Sequence, residues 1–239
     1  MKISIVTATF NAIKDLPLLI ESLRQQTDKD FEWVVADGAS TDGTIDLLES
    51  INDLEIRIIS QSDFGIYDAL NRAVKACTSD FYIVMGADDI LYPNAVKIYK
   101  SHIDKEVGVI TANIENTNGI VSHKSRAYWF YGMGAIASSH AVGCCIRRAL
   151  HQEFGYYSKS FPICADQLFL GSLFRNGIVF KHADKIVGNF GLQGLSSVDT
   201  LGMLTDLYRV QIRLGFNKYV QTALFFLRIL KNIRNLHGI

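Results

Sequence analysis

The chain has 239 residues, 49% of them hydrophobic, with 24 Lys+Arg set against 24 Asp+Glu. That length holds one large domain, or one domain with an appendage, and the balanced charge argues against nucleic acid as a partner. Cys77, Cys144, Cys145 and Cys164 form no C-x-x-C pair and a poor disulfide framework, which suits a reducing cytoplasm; MKISIVTATF has too short an apolar run for a signal peptide, and no run reaches the roughly 18 residues of a membrane span.

Up to about residue 90, two patterns alternate. KISIVTAT is a β-branched run read as a buried strand, and DLPLLIESLRQQT has apolar positions at helical spacing, with Pro17 near its start where a missing N–H costs little. FEWVVAD is a second strand, and DGTIDLLESI a helix with Asp42 or Thr44 as its cap. EIRIIS is a third strand, GIYDALNRAVKAC a third helix and DFYIVMG a fourth strand. This order predicts an α/β fold, a mostly parallel sheet flanked by helices, with ligands beyond the carboxyl ends of the strands. The polar clusters fall there: Thr7-Ala8-Thr9 with Asn11, Asp37-Gly38, Asp63, and Asp88-Asp89. From about residue 100 the pattern is less regular. VGVITANIE and GIVSHKS read as two strands joined around Asn118-Gly119, QLFLGSLFRNG as a helix closed by Gly177, and LGMLTDLYRVQIRLGF and KYVQTALFFLRILKNIRNL as two C-terminal helices.

Four stretches carry chemistry. VVADGASTDGT ends a strand on a carboxylate and turns through small residues into a helix, which suits a bound anion and equally a plain strand-to-helix turn; it lacks the dinucleotide fingerprint G-x-G-x-x-G. In SDFGIYDALNRA, Asp68 and Asn71 share a helical face, as they would on a solvated helix. In GADD, two adjacent carboxylates end an apolar strand; they repel and have raised pKa values unless a cation joins them, and Mg²⁺ or Mn²⁺ on diphosphate oxygens is the natural partner. The alternative is an acidic loop capping the helix that begins near Pro93. Asp166 stands just before an apolar helix, where an N-cap is the ordinary reading, and His140 sits among apolar neighbours as a satisfied core histidine would. No histidine has zinc-type spacing.

Taken in order, TATFNA, VVADGASTDGT, SDFGIYDALNRA, VMGADD, SHAVGCCIRRALHQEFGYYSKSFPICADQ and NFGLQGLSS resemble glycosyltransferase family 2, in particular its bacterial envelope-polysaccharide members, over about residues 1–200. The resemblance implies a GT-A (Rossmann-like) fold with C-terminal helices, and transfer of one sugar, with inversion, from a nucleotide-sugar donor to an acceptor hydroxyl, with Mg²⁺ or Mn²⁺. It assigns Thr7, Thr9, Asn11, Asp37, Asp63, Asp68, Asn71, Asp88 and Asp89 to the donor, Asp37 to its base, usually uracil, and Asp88 to the metal. It assigns Asp166 as general base, and His140, Gly194 and Ser196 to the acceptor side or a covering segment. The chain departs from the family pattern at Gly86, where D-x-D-D has its first Asp, and at Ala36, Leu70 and Ala165. An inactive nucleotide-sugar-binding protein and a sugar-nucleotide nucleotidyltransferase are the alternatives; the second should carry a Gly-rich basic loop after the first strand, which TATFNA lacks.

The expected domain is residues 1–205, with a donor half over 1–100 and an acceptor half over 101–205, followed by a basic helical extension over 206–239. After Asp206 no acidic residue occurs. Tyr219, Ala223, Phe226, Leu230 and Ile233 trace one apolar helical stripe, with Gln221, Arg228, Lys231, Asn232 and Asn235 largely opposite. Two readings follow: a C-terminal helix packed on the domain with its basic residues solvated, or one lying on an anionic membrane beside a glycan or lipid-linked acceptor. The second makes the chain cytoplasmic and peripheral on the inner face of the cytoplasmic membrane.

Overall fold

The computed structural model describes residues 1–124, 126–191 and 199–233. Four strands, β1 (Ile3–Thr9), β2 (Phe31–Asp37), β3 (Ile56–Ser60) and β4 (Phe81–Val84), pair in parallel in the order β3-β2-β1-β4. Helices α1 (Leu16–Arg24), α2 (Thr44–Glu49) and α3 (Ile66–Ala76) connect the first of them. The strands alternate between two cores. Val6, Val34 and Val84 pack with Tyr67, Leu70 and Val74 of α3, whereas Ile5, Trp33 and Ile83 pack with Leu16, Leu19 and Leu23 of α1. Because the strands run in one direction, their carboxyl ends share an edge of the sheet.

Past β4 the sheet continues through β8 (Cys144–Arg147), β6 (Val107–Asn116), β9 (Val179–Asn189) and the short β5 (Ile90–Leu91), with β7 (Gly119–Val121) paired to β6. The parallel character expected of most of the sheet holds for the first four strands and again for β6 with β9, whereas β8 runs antiparallel to both β4 and β6, β5 to β9 and β7 to β6. Helices α4 (Ala95–Ser101), α5 (Tyr128–Tyr131), α6 (Leu150–Phe154), α7 (Ala165–Arg175), α8 (Thr200–Arg213) and α9 (Lys218–Lys231) are the remaining α-helices among the described residues.

Several local expectations change. Gly43, at φ 94°, is the N-cap of α2, and Asp42 Oδ1 accepts the Thr44 N–H instead. Gly177 follows α7 at φ 77°, as a C-terminal glycine should. Asp88 and Asp89 do not cap α4, because β5 intervenes and Asn94 holds the cap position. Asp166 lies inside the first turn of α7, one residue past its start, with Cys164 at the cap. The boundary expected at residue 206 falls within α8, whose Val210 joins the main core together with Leu214 just beyond it, leaving α9 as the appended element.

Candidate active site

At the carboxyl edge, Asp37 ends β2 with no exposed surface and accepts four hydrogen bonds: Thr9 Oγ1 (2.9 Å), Ser40 Oγ (2.5 Å), Ser40 N (2.8 Å) and Ser60 Oγ (3.1 Å). Burial pushes this carboxyl up, but the bonds from Ser40, Thr9 and Ser60 outweigh it and hold it below the ordinary aspartate value. Asn11, at φ 50°, ties the loops after β1 and β2 together: its N–H donates to Ser40 Oγ and its Oδ1 accepts from Thr41 N. Thr7 points into the core, where its hydroxyl accepts the Trp33 indole N–H. Gly38 is bare for a reason. A Cβ there would lie 2.9 Å from Asp63 Oδ2 and 3.2 Å from Phe10 Cδ2, so the glycine lets a carboxylate and an exposed ring approach one ledge.

Arg72 organises that ledge, and the motifs did not single it out. Its guanidinium reaches Asp63 (3.5 Å), Asp68 (3.4 Å) and the main-chain oxygens of Asp37 (3.2 Å) and Gln61 (3.3 Å), while its buried Nε has no hydrogen-bond partner among the described residues. Lys159 also pairs with Asp68, at 2.6 Å. Asn71, one residue away, faces elsewhere: buried on α3, its amide grips the main-chain N–H and C=O of Tyr157 (2.9 and 2.8 Å). Neither Phe10 nor Arg72 stands out in the sequence, because an exposed ring and a helix-face arginine are ordinary until the fold brings the two loops together.

Beside the ledge lies a cleft of about 440 Å³, lined among others by Asp88, Asp89, His140 and Asp166. The paired aspartates differ. Asp89 is almost fully buried and accepts main-chain N–H groups on both oxygens, from Gly86 (2.6 Å) and Gly191 (2.8 Å). Burial pushes its carboxyl up to about 7, against those two bonds and with the Asp88 charge adding to the rise. Asp88 lies in a cradle of bare backbone: a Cβ on Gly191 would collide with its Oδ2, and one on Gly86 would come within 3.0 Å of its Oδ1. No group of three or more His, Cys, Asp or Glu forms a protein-only metal site among the described residues. A hard carboxylate ligand on a glycine-flanked loop suits Mg²⁺ or Mn²⁺ that takes most of its ligands from phosphate and water. The donor set therefore fits such an ion through Asp88, with Asp89 bracing the loop.

On α7, Asp166 Oδ1 lies 2.8 Å from the Tyr67 hydroxyl, whose proton it shares with the Ile163 carbonyl at 2.7 Å, and Oδ2 lies 3.8 Å from His140 Nδ1. The loop before it is pinned from α8, where buried Asp206 accepts the N–H groups of Ile163 (3.0 Å) and Cys164 (3.4 Å). His140 is 5% exposed and belongs to the cleft wall. Gly194 and Ser196 lie outside the described residues. The structure thus groups Thr9, Asn11, Asp37, Asp63 and Asp68 on the ledge and Asp88, Asp89, His140 and Asp166 in the cleft, and it turns Thr7 and Asn71 into the interior.

The profile of the family described as Glycosyl transferase family 2 matches residues 4–177. Chondroitin synthase of Escherichia coli is 31% identical over 239 residues, covering 93% of this chain and 34% of that protein. The match covers about a third of the length of the first curated relatives. Among solved structures, TarS 1–349 of S. aureus in complex with UDP-GlcNAc gives a TM-score of 0.75 at 21% identity, covering 97% of this chain and 73% of that one. Glucosyl-3-phosphoglycerate synthase of Mycobacterium tuberculosis, in complex with Mn²⁺, UDP-glucose and phosphoglyceric acid, gives 0.66 at 16% identity, covering 90% and 80%. At these identities the two structures share the fold.

Proposed function

The chain belongs to glycosyl transferase family 2 and has the GT-A fold, and from that premise we propose that it transfers one sugar, with inversion, from a UDP-linked donor to a hydroxyl of a glycan or lipid-linked glycan in bacterial envelope polysaccharide synthesis. One observation carries the reading: Asp88 at the end of β4 and Asp166 on α7, distant in sequence, line the same cleft at the carboxyl edge of the sheet. The ledge offers the nucleoside an exposed Phe10 ring beside Asp63 and a rigid Asp37 loop. UDP-sugars are bound in both structures compared above, which supports a uridine donor.

Asp166 takes the proton of the acceptor hydroxyl as that oxygen attacks the anomeric carbon from the face opposite the departing diphosphate. Tyr67 fixes the carboxylate for this by bonding its Oδ1. Asp88 would hold Mg²⁺ or Mn²⁺, which when bound neutralises charge on the diphosphate oxygens. Asp166→Asn is expected to keep donor binding and lose transfer by about 10²–10⁴-fold. Single-turnover transfer from UDP-sugars, with the product anomer read by NMR, tests both parts. A product of retained configuration, or a variant as fast as the parent, would sink the reading.

The acceptor side favours a membrane surface. No described helix is long and apolar enough to cross a membrane. On α9, however, the apolar stripe points outward, with Tyr219 75%, Phe226 58% and Leu230 62% exposed, while Gln221 and Arg228 face the domain. The helix packs on the domain by the opposite face, and a peripheral, cytoplasmic-face contact with anionic lipid is the reading that uses the exposed stripe and the basic residues near it. Co-sedimentation with anionic vesicles at low salt tests it, and failure to bind removes it.

A further inference from the structure

Behind Asp166 runs a buried chain of hydrogen bonds that the transfer mechanism leaves unused. His140 Nε2 meets the Tyr157 hydroxyl at 2.7 Å, Tyr157 meets the Tyr82 hydroxyl at 2.6 Å, Tyr82 meets His151 Nε2 at 2.7 Å, and His151 Nδ1 meets the Gly155 carbonyl at 3.0 Å. All four side chains are at most 5% exposed. Asn71 clamps the main chain of Tyr157 on both sides, so the middle of the chain is fixed.

The direction of every bond follows from one end. A carbonyl only accepts, so His151 carries its proton on Nδ1. His151 is neutral, because burial pushes it down to about 4, so its Nε2 accepts from Tyr82. The single proton of Tyr82 is then used, and Tyr157 must donate to it. With the Tyr157 proton used in turn, His140 must donate from Nε2. Burial also lowers the pKa of His140 against the Asp166 charge, so the ring is neutral and its Nδ1 is a bare lone pair facing Asp166 Oδ2 at 3.8 Å. Two acceptors confront each other with no proton between them.

We propose that His140 is a positioning residue for transfer: the buried chain locks it as the Nε2–H tautomer, so that its Nδ1 receives a hydrogen bond from Asp166 once that carboxylate has accepted the proton of the acceptor hydroxyl. This rests on Asp166 acting as the base. The acceptor O–H bond breaks and its proton goes to Asp166. The new oxygen–carbon bond forms, and the electron pair of the old sugar–phosphate bond leaves with the nucleoside diphosphate. Once protonated, Asp166 has a hydrogen to offer the Nδ1 lone pair across the 3.8 Å separation. The groups around the pair are Tyr67 from α3, Tyr128 from α5, Cys144 from β8, Cys164 before α7 and His151 from α6. Burial pushes the phenols and thiols up and His151 down, so all are uncharged near neutrality.

The test combines histidine ¹⁵N NMR on the whole chain with pH–rate profiles of transfer from a UDP-sugar with Mn²⁺. The expected spectrum shows His140 neutral with its proton on Nε2; a proton on Nδ1 near neutral pH overturns the proposal without any variant. His140→Gln can still reach Tyr157 but lacks Nδ1. It should lower kcat on the order of tenfold, leave donor KM unchanged, and move the acid limb of the profile to lower pH. Tyr157→Phe should release the tautomer and shift the His140 ¹⁵N signals. A His140→Gln enzyme with full rate and an unmoved acid limb, beside an inactive Asp166→Asn, overturns the positioning role alone. An active Asp166→Asn overturns the base assignment and this inference with it.

Discussion

Asp37 is a buried carboxylate kept ionised by four donors from three strands or their loops. Its folded-state pKa is below the ordinary value, so the stabilisation it brings is present above the unfolded aspartate range and lost as pH falls through the folded value. Asp37→Asn turns an amide N–H toward groups that themselves donate, and should cost about 1–3 kcal/mol at neutral pH. Urea melts of both proteins should differ at pH 7 and converge as pH falls below the ordinary aspartate range; a constant difference would remove the charge from the explanation. Gly191 makes a second residue-scale case. A Cβ there collides with Asp88, so Gly191→Ala should displace that carboxylate. Calorimetry with UDP and Mn²⁺ should show metal-linked affinity lost while the melting temperature stays near that of the parent, and retained affinity would take Asp88 out of the metal site.

At the scale of elements, α9 separates packing from exposure. Its inner face is tied to α5: Gln221 donates to the Trp129 carbonyl (2.8 Å) and Arg228 to that of Phe130 (2.6 Å). Changing Phe226 and Leu230 together to Ser removes exposed apolar surface only, so the melting temperature should hold while anionic-vesicle binding falls. Arg228→Ala should do the reverse in part, loosening α9 by about 0.5–1.5 kcal/mol through the lost hydrogen bond to the Phe130 carbonyl. Hydrogen exchange confined to α9 and α5 is the readout, and unchanged protection there would show that the contact contributes nothing. The same carbonyl contacts leave Trp129, Phe130 and Tyr131 partly exposed alongside α9, which widens the apolar surface.

For the whole molecule, the question is where the folding unit ends. Val210 and Leu214 lie in the core cluster that holds Tyr157, Phe169 and Leu173, and Asp206 pins the loop leading to Asp166. A chain cut after residue 205 should therefore lose cooperative unfolding, whereas one cut after residue 216 should keep it, because it retains all of α8 and the core residues beyond it. Denaturant curves of the two truncations decide the point. Equal stability would place the end of the folding unit at residue 205.

By itself the sequence determined the first half of the sheet, strand by strand, because β1 and β2 are buried on both faces and read as apolar runs broken by helical spacing. Motif order likewise determined the family, now matched over residues 4–177. Strand β9 was illegible, since its register shifts against β6 break the alternation and Lys181, His182, Asp184 and Lys185 interrupt it. Only the tertiary structure decided that Asn71 clamps Tyr157, that Arg72 gathers Asp63 and Asp68, and that the stripe of α9 faces out. It alone aligned His140, Tyr157, Tyr82 and His151 behind Asp166, residues drawn from separate elements. The physical reason is common to all of these: periodicity reports which face of an element is apolar, but hydrogen-bond partners and the surface opposite a face are set by long-range packing that no local pattern encodes.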